Sequence, residues 1–182
     1  MKYVIALCAT ILCAPAAAAG ITYDCDTAAN HFSELVLPAP GGSFTVSGNV
    51  QLLTIAEVSK YAPIARVQVT SPSQPGQPAA NVVGVSLAVL PAGAEETRAG
   101  APALQMVSFQ ASGHKDEALA QSMLIKPGTP QSFRLRFDGA NVAATIGSET
   151  RFYPMKAADP VVRLICSTGE FLFTNVTLQP IK

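Results

Sequence analysis

Wherever the chain shows periodicity, apolar and polar residues alternate with period two in short runs separated by Gly, Pro, Asn and Ser, the pattern of half-buried β-strands. Phe44, Val46, Val50 and Leu52 form one such row against Ser, Thr, Asn and Gln; Gly48 interrupts it as a bulge or a point of close backbone approach. Ala65, Val67 and Val69 alternate with Arg66 and Gln68, and Val83, Val85, Leu87 and Val89 stand opposite Gly84, Ser86 and Ala88. Met106 or Val107 with Phe109, and Met123 with Ile125, predict two further strands of less regular phase.

The sharpest local signal is Phe133-Arg134-Leu135-Arg136-Phe137-Asp138-Gly139 followed by residues 140–146. Three apolar residues share one face and two arginines the other, and Asp138-Gly139 supplies the positive-φ turn of a tight hairpin. The returning Val142, Ala144 and Ile146 are then expected to meet the Phe133, Leu135 and Phe137 face. Towards the end, Val162, Leu164 and Cys166 alternate. Ser167-Thr168-Gly169 is expected to turn the chain into Phe171, Phe173, Val176 and Leu178, with a bulge at Thr174 or Asn175 restoring the phase. Two Pro/Gly-rich stretches, 71–81 and 90–102, predict long surface loops, and a short helical turn is expected over 116–123. Neither flank of these loops is large enough to suggest its own core, so residues 20–182 are expected to form a single β-sandwich domain.

The first residues follow different rules. Met1-Lys2, an uncharged apolar run from Tyr3 to Leu12 and the small residues Ala14 to Ala19 predict a secretory signal peptide over residues 1–19. The apolar run is too short to span a bilayer, so no membrane span is expected after cleavage. The mature chain is then expected in the periplasm or outside the cell. Cys8 and Cys13 would leave with the leader. Cys25 and Cys166 would remain, and two thiols in an oxidising compartment are expected to pair. Neither has a second Cys or a His at ligand spacing, which disfavours a metal or redox pair.

Charge narrows the function classes. Lys+Arg and Asp+Glu both count 12, with no clustered basic surface or polybasic run, so neither nucleic acid nor an anionic membrane is an expected partner. His31 and His114 are the only histidines, too few for a zinc site, and no metal or other cofactor is expected. No G-x-S-x-G elbow is present to anchor a nucleophile.

The stretch Phe133 to Gly139, together with Leu164-Ile165-Cys166-Ser167-Thr168-Gly169-Glu170-Phe171-Leu172-Phe173, resembles the back half of concanavalin A-like (laminin G-like) jelly-roll domains. The resemblance implies an all-β, two-sheet antiparallel jelly-roll sandwich whose last strand returns beside the first, in keeping with one Cys25–Cys166 disulfide. It also implies carbohydrate as the ligand class. Glucan-cleaving members of that superfamily carry two glutamates and an aspartate at alternate spacing on one strand, flanking the bond to be cut. This chain has no such row; Asp24 and Asp26 flank Cys25 and are expected to face solvent.

With no Trp in the chain and most Phe residues in the inward phase, the remaining candidates for ligand contact are Tyr61, Phe152 and Tyr153. Arg134 and Arg136 join them as two parallel cationic forks, a solvated face paired with neighbouring acids being their competing role. The functional expectation is a secreted or periplasmic non-catalytic module for a glycan or another envelope component. A hydrolase of envelope polysaccharide or ester with a fold-assembled site, and a structural surface component, are the alternatives.

Overall fold

The computed structural model describes residues 20–55, 61–73, 77, 79–90, 103–113, 117–118, 123–125 and 128–181. The expected leader therefore lies outside the described residues. The alternating rows form the strands β1 (Ile21–Pro38), β2 (Phe44–Ile55), β3 (Ile64–Thr70), β4 (Val82–Leu90), β5 (Ala103–Ala111), β6 (Glu117–Ala118) and β7 (Met123–Ile125). They continue as β8 (Gln131–Phe137), β9 (Asn141–Ile146), β10 (Glu149–Pro154) and β11 (Val161–Pro180). Every pairing among them is antiparallel. The expected helical turn over 116–123 is not formed where the stretch is described: Glu117–Ala118 and Met123 lie in strands on the free edge of β5.

One strand organises both layers. The first half of β11 pairs with β3, which leads through β4 to β5; the second half pairs with β2, which leads through β8 and β9 to β10. β1 runs along the opposite edge of β11 through both halves. The chain was expected to turn at Ser167-Thr168-Gly169, yet it carries on as one strand and bends there from one layer into the other. Thr168 takes a left-handed φ of 62° and Asn30, on the paired strand, 64°. The Thr27 hydroxyl donates to the Gly169 carbonyl at 2.9 Å and accepts from its N–H at 3.2 Å, while the Asn30 N–H donates to Thr168 Oγ1 at 3.3 Å. These side-chain bonds replace the ladder bonds that the bend removes. A Cβ at Gly169 would lie 2.8 Å from the Thr54 carbonyl oxygen, which explains the glycine.

The same bend explains the disulfide. Cys25 is registered with Phe171 and Cys166 with Ser33, several residues out of step along one ladder. Folding β1 and β11 around the corner brings their Cα atoms to 6.1 Å, and the bond ties the two layers together beside the bend.

The apolar faces close on one another as the alternation predicts. Phe133, Leu135 and Phe137 pair with Ile146, Ala144 and Val142, all buried. In the hairpin turn only Gly139 takes positive φ, 101°, and the Asp138 carboxylate accepts the N–H groups of Ala140 and Asn141 at 2.9 and 2.7 Å. Those two bonds hold its pKa below the usual carboxylate value. The bulge falls at Asn175, φ 53°, between Thr174 and Thr177. Gly48 is the close-approach point opposite it: a Cβ there would meet the Phe133 ring at 2.9 Å and the Thr174 carbonyl oxygen at 3.0 Å.

Candidate functional site

A sandwich leaves two outer faces, and the residues singled out from sequence fall mainly on one of them. Phe152, Ala143 and Arg136 form a cross-strand row on the outside of the β2–β8–β9–β10 layer, and Thr150, Thr145 and Arg134 form the next. Phe152 is 75% exposed and both arginines stand in solvent. No acid lies across the ladder from the arginines, whose cross-strand neighbours are Thr45, Ser47, Ala143 and Thr145; the acid near Arg136 is Asp138 of the hairpin turn, two residues on along the chain. A shallow cleft of about 370 Å³ next to Arg134 is lined by Ser47, Asn49, Ser132 and Asn175 among others. Tyr153 has the opposite phase to Phe152 and is buried in the core, so it does not join the exposed patch. Tyr61 is exposed just ahead of β3, at the end of the other layer. Asp24 and Asp26 face solvent as expected.

The outer face of the other layer behaves differently. Its strands lie in the order β1–β11–β3–β4–β5, and Val36, Arg163, Gln68, Gly84 and Gln110 make one unbroken cross-strand row. Glu34, Ile165, Arg66, Ser86 and Ser108 make the adjacent row, and Phe32, Ser167, Ile64, Ala88 and Met106 the next. These residues point away from the apolar core, yet Arg163, Gln68, Gln110 and Ser108 are each only 7% exposed and Ser86 only 2%. Polar groups withdrawn this far from water need partners.

Most of them have one. Arg163 donates to Glu34 at 3.1 Å in an ion pair whose two side chains are both largely buried. The hydroxyls of Ser86 and Ser108 meet at 2.6 Å across the β4–β5 ladder. Gln68 Nε2 donates to Gln110 Oε1 at 2.8 Å, although the two residues are two strands apart. The strand between them carries Gly84 at the intervening position, so nothing rises between the two amides. A Cβ there would collide with the Val67 carbonyl oxygen and lie 2.9 Å from Gln68.

Among the described residues, two buried polar atoms on the same face have no hydrogen-bond partner: Arg66 Nε and Thr70 Oγ1. Both belong to β3, on either side of Gln68 and in the same phase. The face therefore holds unused hydrogen-bonding capacity in a strip where water is scarce. Among the residues whose side chains are described, Glu34 is its one carboxylate, set against the two guanidinium groups of Arg66 and Arg163. Phe32, 61% exposed, and Val36, also exposed, border the strip on β1. No group of three or more His, Cys, Asp or Glu suited to a metal ion occurs among the described residues. His31 is exposed within the irregular stretch of β1, and His114 lies outside the described residues.

None of the strip's polar residues was singled out from the sequence. The usable signal was the run Arg66-x-Gln68-x-Thr70 in outward phase beside the small outward residues Gly84, Ser86 and Ala88. That run shows a strand with reactive polarity and a neighbour that leaves room for it.

Comparison with known proteins places the architecture. No family model matches the sequence, and no curated protein resembles it significantly in sequence. Solved structures do match the fold. The alginate lyase PA1167 from Pseudomonas aeruginosa superposes with a TM-score of 0.55 at 11% identity, over 82% of this chain and 74% of that one. The carbohydrate-binding module CBM66 from Bacillus subtilis superposes with 0.50 at 12% identity, over 88% and 91%. The fold shared with them is an all-β antiparallel jelly-roll sandwich. The alginate lyase AlyA1 from Zobellia galactanivorans, TM-score 0.50 and 11% identity over 80% of this chain, shares it as well, and the chain spans 64% of that enzyme's length. Scytalido-glutamic peptidase, TM-score 0.57 at 10% identity over 84% and 82%, has the same jelly roll with a different chemistry, which shows that the fold alone does not choose an activity.

Proposed function

We propose that this chain is an exported, non-catalytic glycan-binding module that receives its ligand on the outer face of the β1–β11–β3–β4–β5 layer. The observation that carries this reading is the strip of polar side chains held out of water on that face, two of them with buried atoms that have no protein partner. Hydroxyl-rich ligands supply donors and acceptors in close succession, which is what Arg66 Nε and Thr70 Oγ1 lack. The exposed Phe32 beside it adds an apolar surface on which a sugar ring can rest. A saccharide ligand is in keeping with the carbohydrate-binding module and the alginate lyases among the structures that share the fold. Export is supported by the leader pattern and by the Cys25–Cys166 bond, which needs an oxidising compartment to persist.

The hydrolase alternative needs two carboxyl groups flanking a bond. Glu34 is the strip's one described carboxylate, and it is engaged with Arg163. The test is affinity electrophoresis against a panel of soluble polysaccharides, with product analysis in parallel. Retardation of the wild type by at least one glycan is expected, lost about tenfold in affinity in a Gln68→Ala/Gln110→Ala variant and kept in Arg134→Ala/Arg136→Ala. The reverse pattern would move the ligand to the Phe152 face. Release of shortened glycans would make the protein an enzyme.

A further inference from the structure

Resting on that reading, we infer that the ligand is an acidic glycan, and that Arg66 receives the carboxylate of a uronic acid residue within it. One side chain on β3 and its neighbours lead there. The Arg66 side chain is half-buried and its Nε is fully withdrawn from solvent with no partner. A guanidinium carries five donors and cannot shed its charge, so leaving one of them dry and unbonded is costly unless something fills the place. The groups around it in register do not: Ile165 and Ser86 are its direct neighbours, and Ser86 is joined to Ser108. Gln68, next on the same face, is joined to Gln110.

The charge count on the face points the same way. Glu34 sits in the row of Arg66 but two strands away, about 10 Å by ladder spacing, with Ile165 between them. Its carboxylate oxygen is bonded to Arg163 instead. One carboxylate thus faces two guanidinium groups among the described residues, and the surplus positive charge belongs to Arg66. A planar two-oxygen acid matches the guanidinium fork in both geometry and charge. The neighbouring hydroxyl and amide pairs suit the sugar hydroxyls on either side of that acid.

The experiment compares oligosaccharides of mannuronate, guluronate and galacturonate with their methyl esters, with neutral cello-oligosaccharides and with dextran sulfate. Binding is read by isothermal titration and by affinity electrophoresis at several salt concentrations. The wild type is expected to bind at least one uronate series, to lose about tenfold or more on its esterification, and to weaken as salt is raised. Arg66→Gln should reproduce the loss on the free acid without changing the ester. Arg66→Lys should recover part of it, since charge remains while the fork is gone. Unchanged melting temperatures in both variants exclude misfolding as the cause. Equal affinity of Arg66→Gln and wild type for uronates, or a preference for neutral oligosaccharides, overturns the inference and leaves the glycan-binding reading standing. Preference for dextran sulfate that depends on Arg66 replaces the carboxylate by a sulfate ester and equally overturns it. Failure of every glycan to bind removes both.

Discussion

The two outer faces of this sandwich are built from the same alternation and end up as different surfaces. On the β2–β8–β9–β10 layer, Arg134, Arg136 and Phe152 stand in solvent next to threonines and alanines, with no acid across the ladder. On the β1–β11–β3–β4–β5 layer, residues of equal polarity are withdrawn from water and bonded to one another over two strands. A solvated arginine is satisfied by water and has little to gain from a ligand. A half-dry one with an unbonded donor has much more to gain, because the cost of desolvation has already been met by the fold.

The sharpest way to break the contrast is to cut what holds the layers together. Removing the Cys25–Cys166 bond, by reduction or as Cys25→Ser/Cys166→Ser, should lower unfolding stability by about 2–5 kcal/mol in guanidinium titrations. A loss below about 1 kcal/mol would mean that the bend at Thr168, with its Thr27 and Asn30 bonds, suffices to join the layers. The next largest effect compares the faces directly. Glu34→Gln leaves the buried Arg163 without its counter-charge and should cost about 3 kcal/mol, whereas Arg136→Gln on the solvated face should stay within about 0.5 kcal/mol. Equal costs in thermal melts would show that the two faces are alike in polarity and burial.

The smallest effect lies in the hairpin turn at the end of the solvated layer. The Asp138 pKa is lowered from 3.8 by hydrogen bonds from the Ala140 and Asn141 amides. A folded-state pKa below the unfolded one contributes stability that is present above the unfolded value and is lost as pH falls through the folded value. Asp138→Ala should therefore melt lower than wild type at neutral pH, with the gap closing in acid. A gap that is constant down to the acid limit would show that the carboxylate's charge plays no part in capping this turn.

Particular elements explain how far the sequence could be read. The Phe133–Ile146 hairpin, the Asn175 bulge and the inward phase of Phe171, Phe173 and Val176 were visible because each is decided by local periodicity and turn chemistry. The Cys25–Cys166 pairing followed from compartment logic, with only two cysteines outside the expected leader. The corner in β11 was not visible: Thr168-Gly169 reads as a turn, and it is β1, from more than a hundred residues away, that pairs with β11 on both sides of the bend. The strip around Arg66 was missed for a related reason. Alternation says which side of its own strand a residue takes, and Arg66, Gln68, Arg134 and Arg136 all answered alike.

What the chain's own order of residues determined was local: strands where side chains alternate, reversals where glycine and aspartate permit them, and a core wherever the apolar phase persists. What only the tertiary structure decided was which polar residues keep their water. That depends on neighbours brought in by register across five strands, on a glycine at position 84 that leaves space for two amides to meet, and on a carboxylate, Glu34, that pairs with Arg163. Hydration is a property of the assembled surface, and no stretch of sequence contains it.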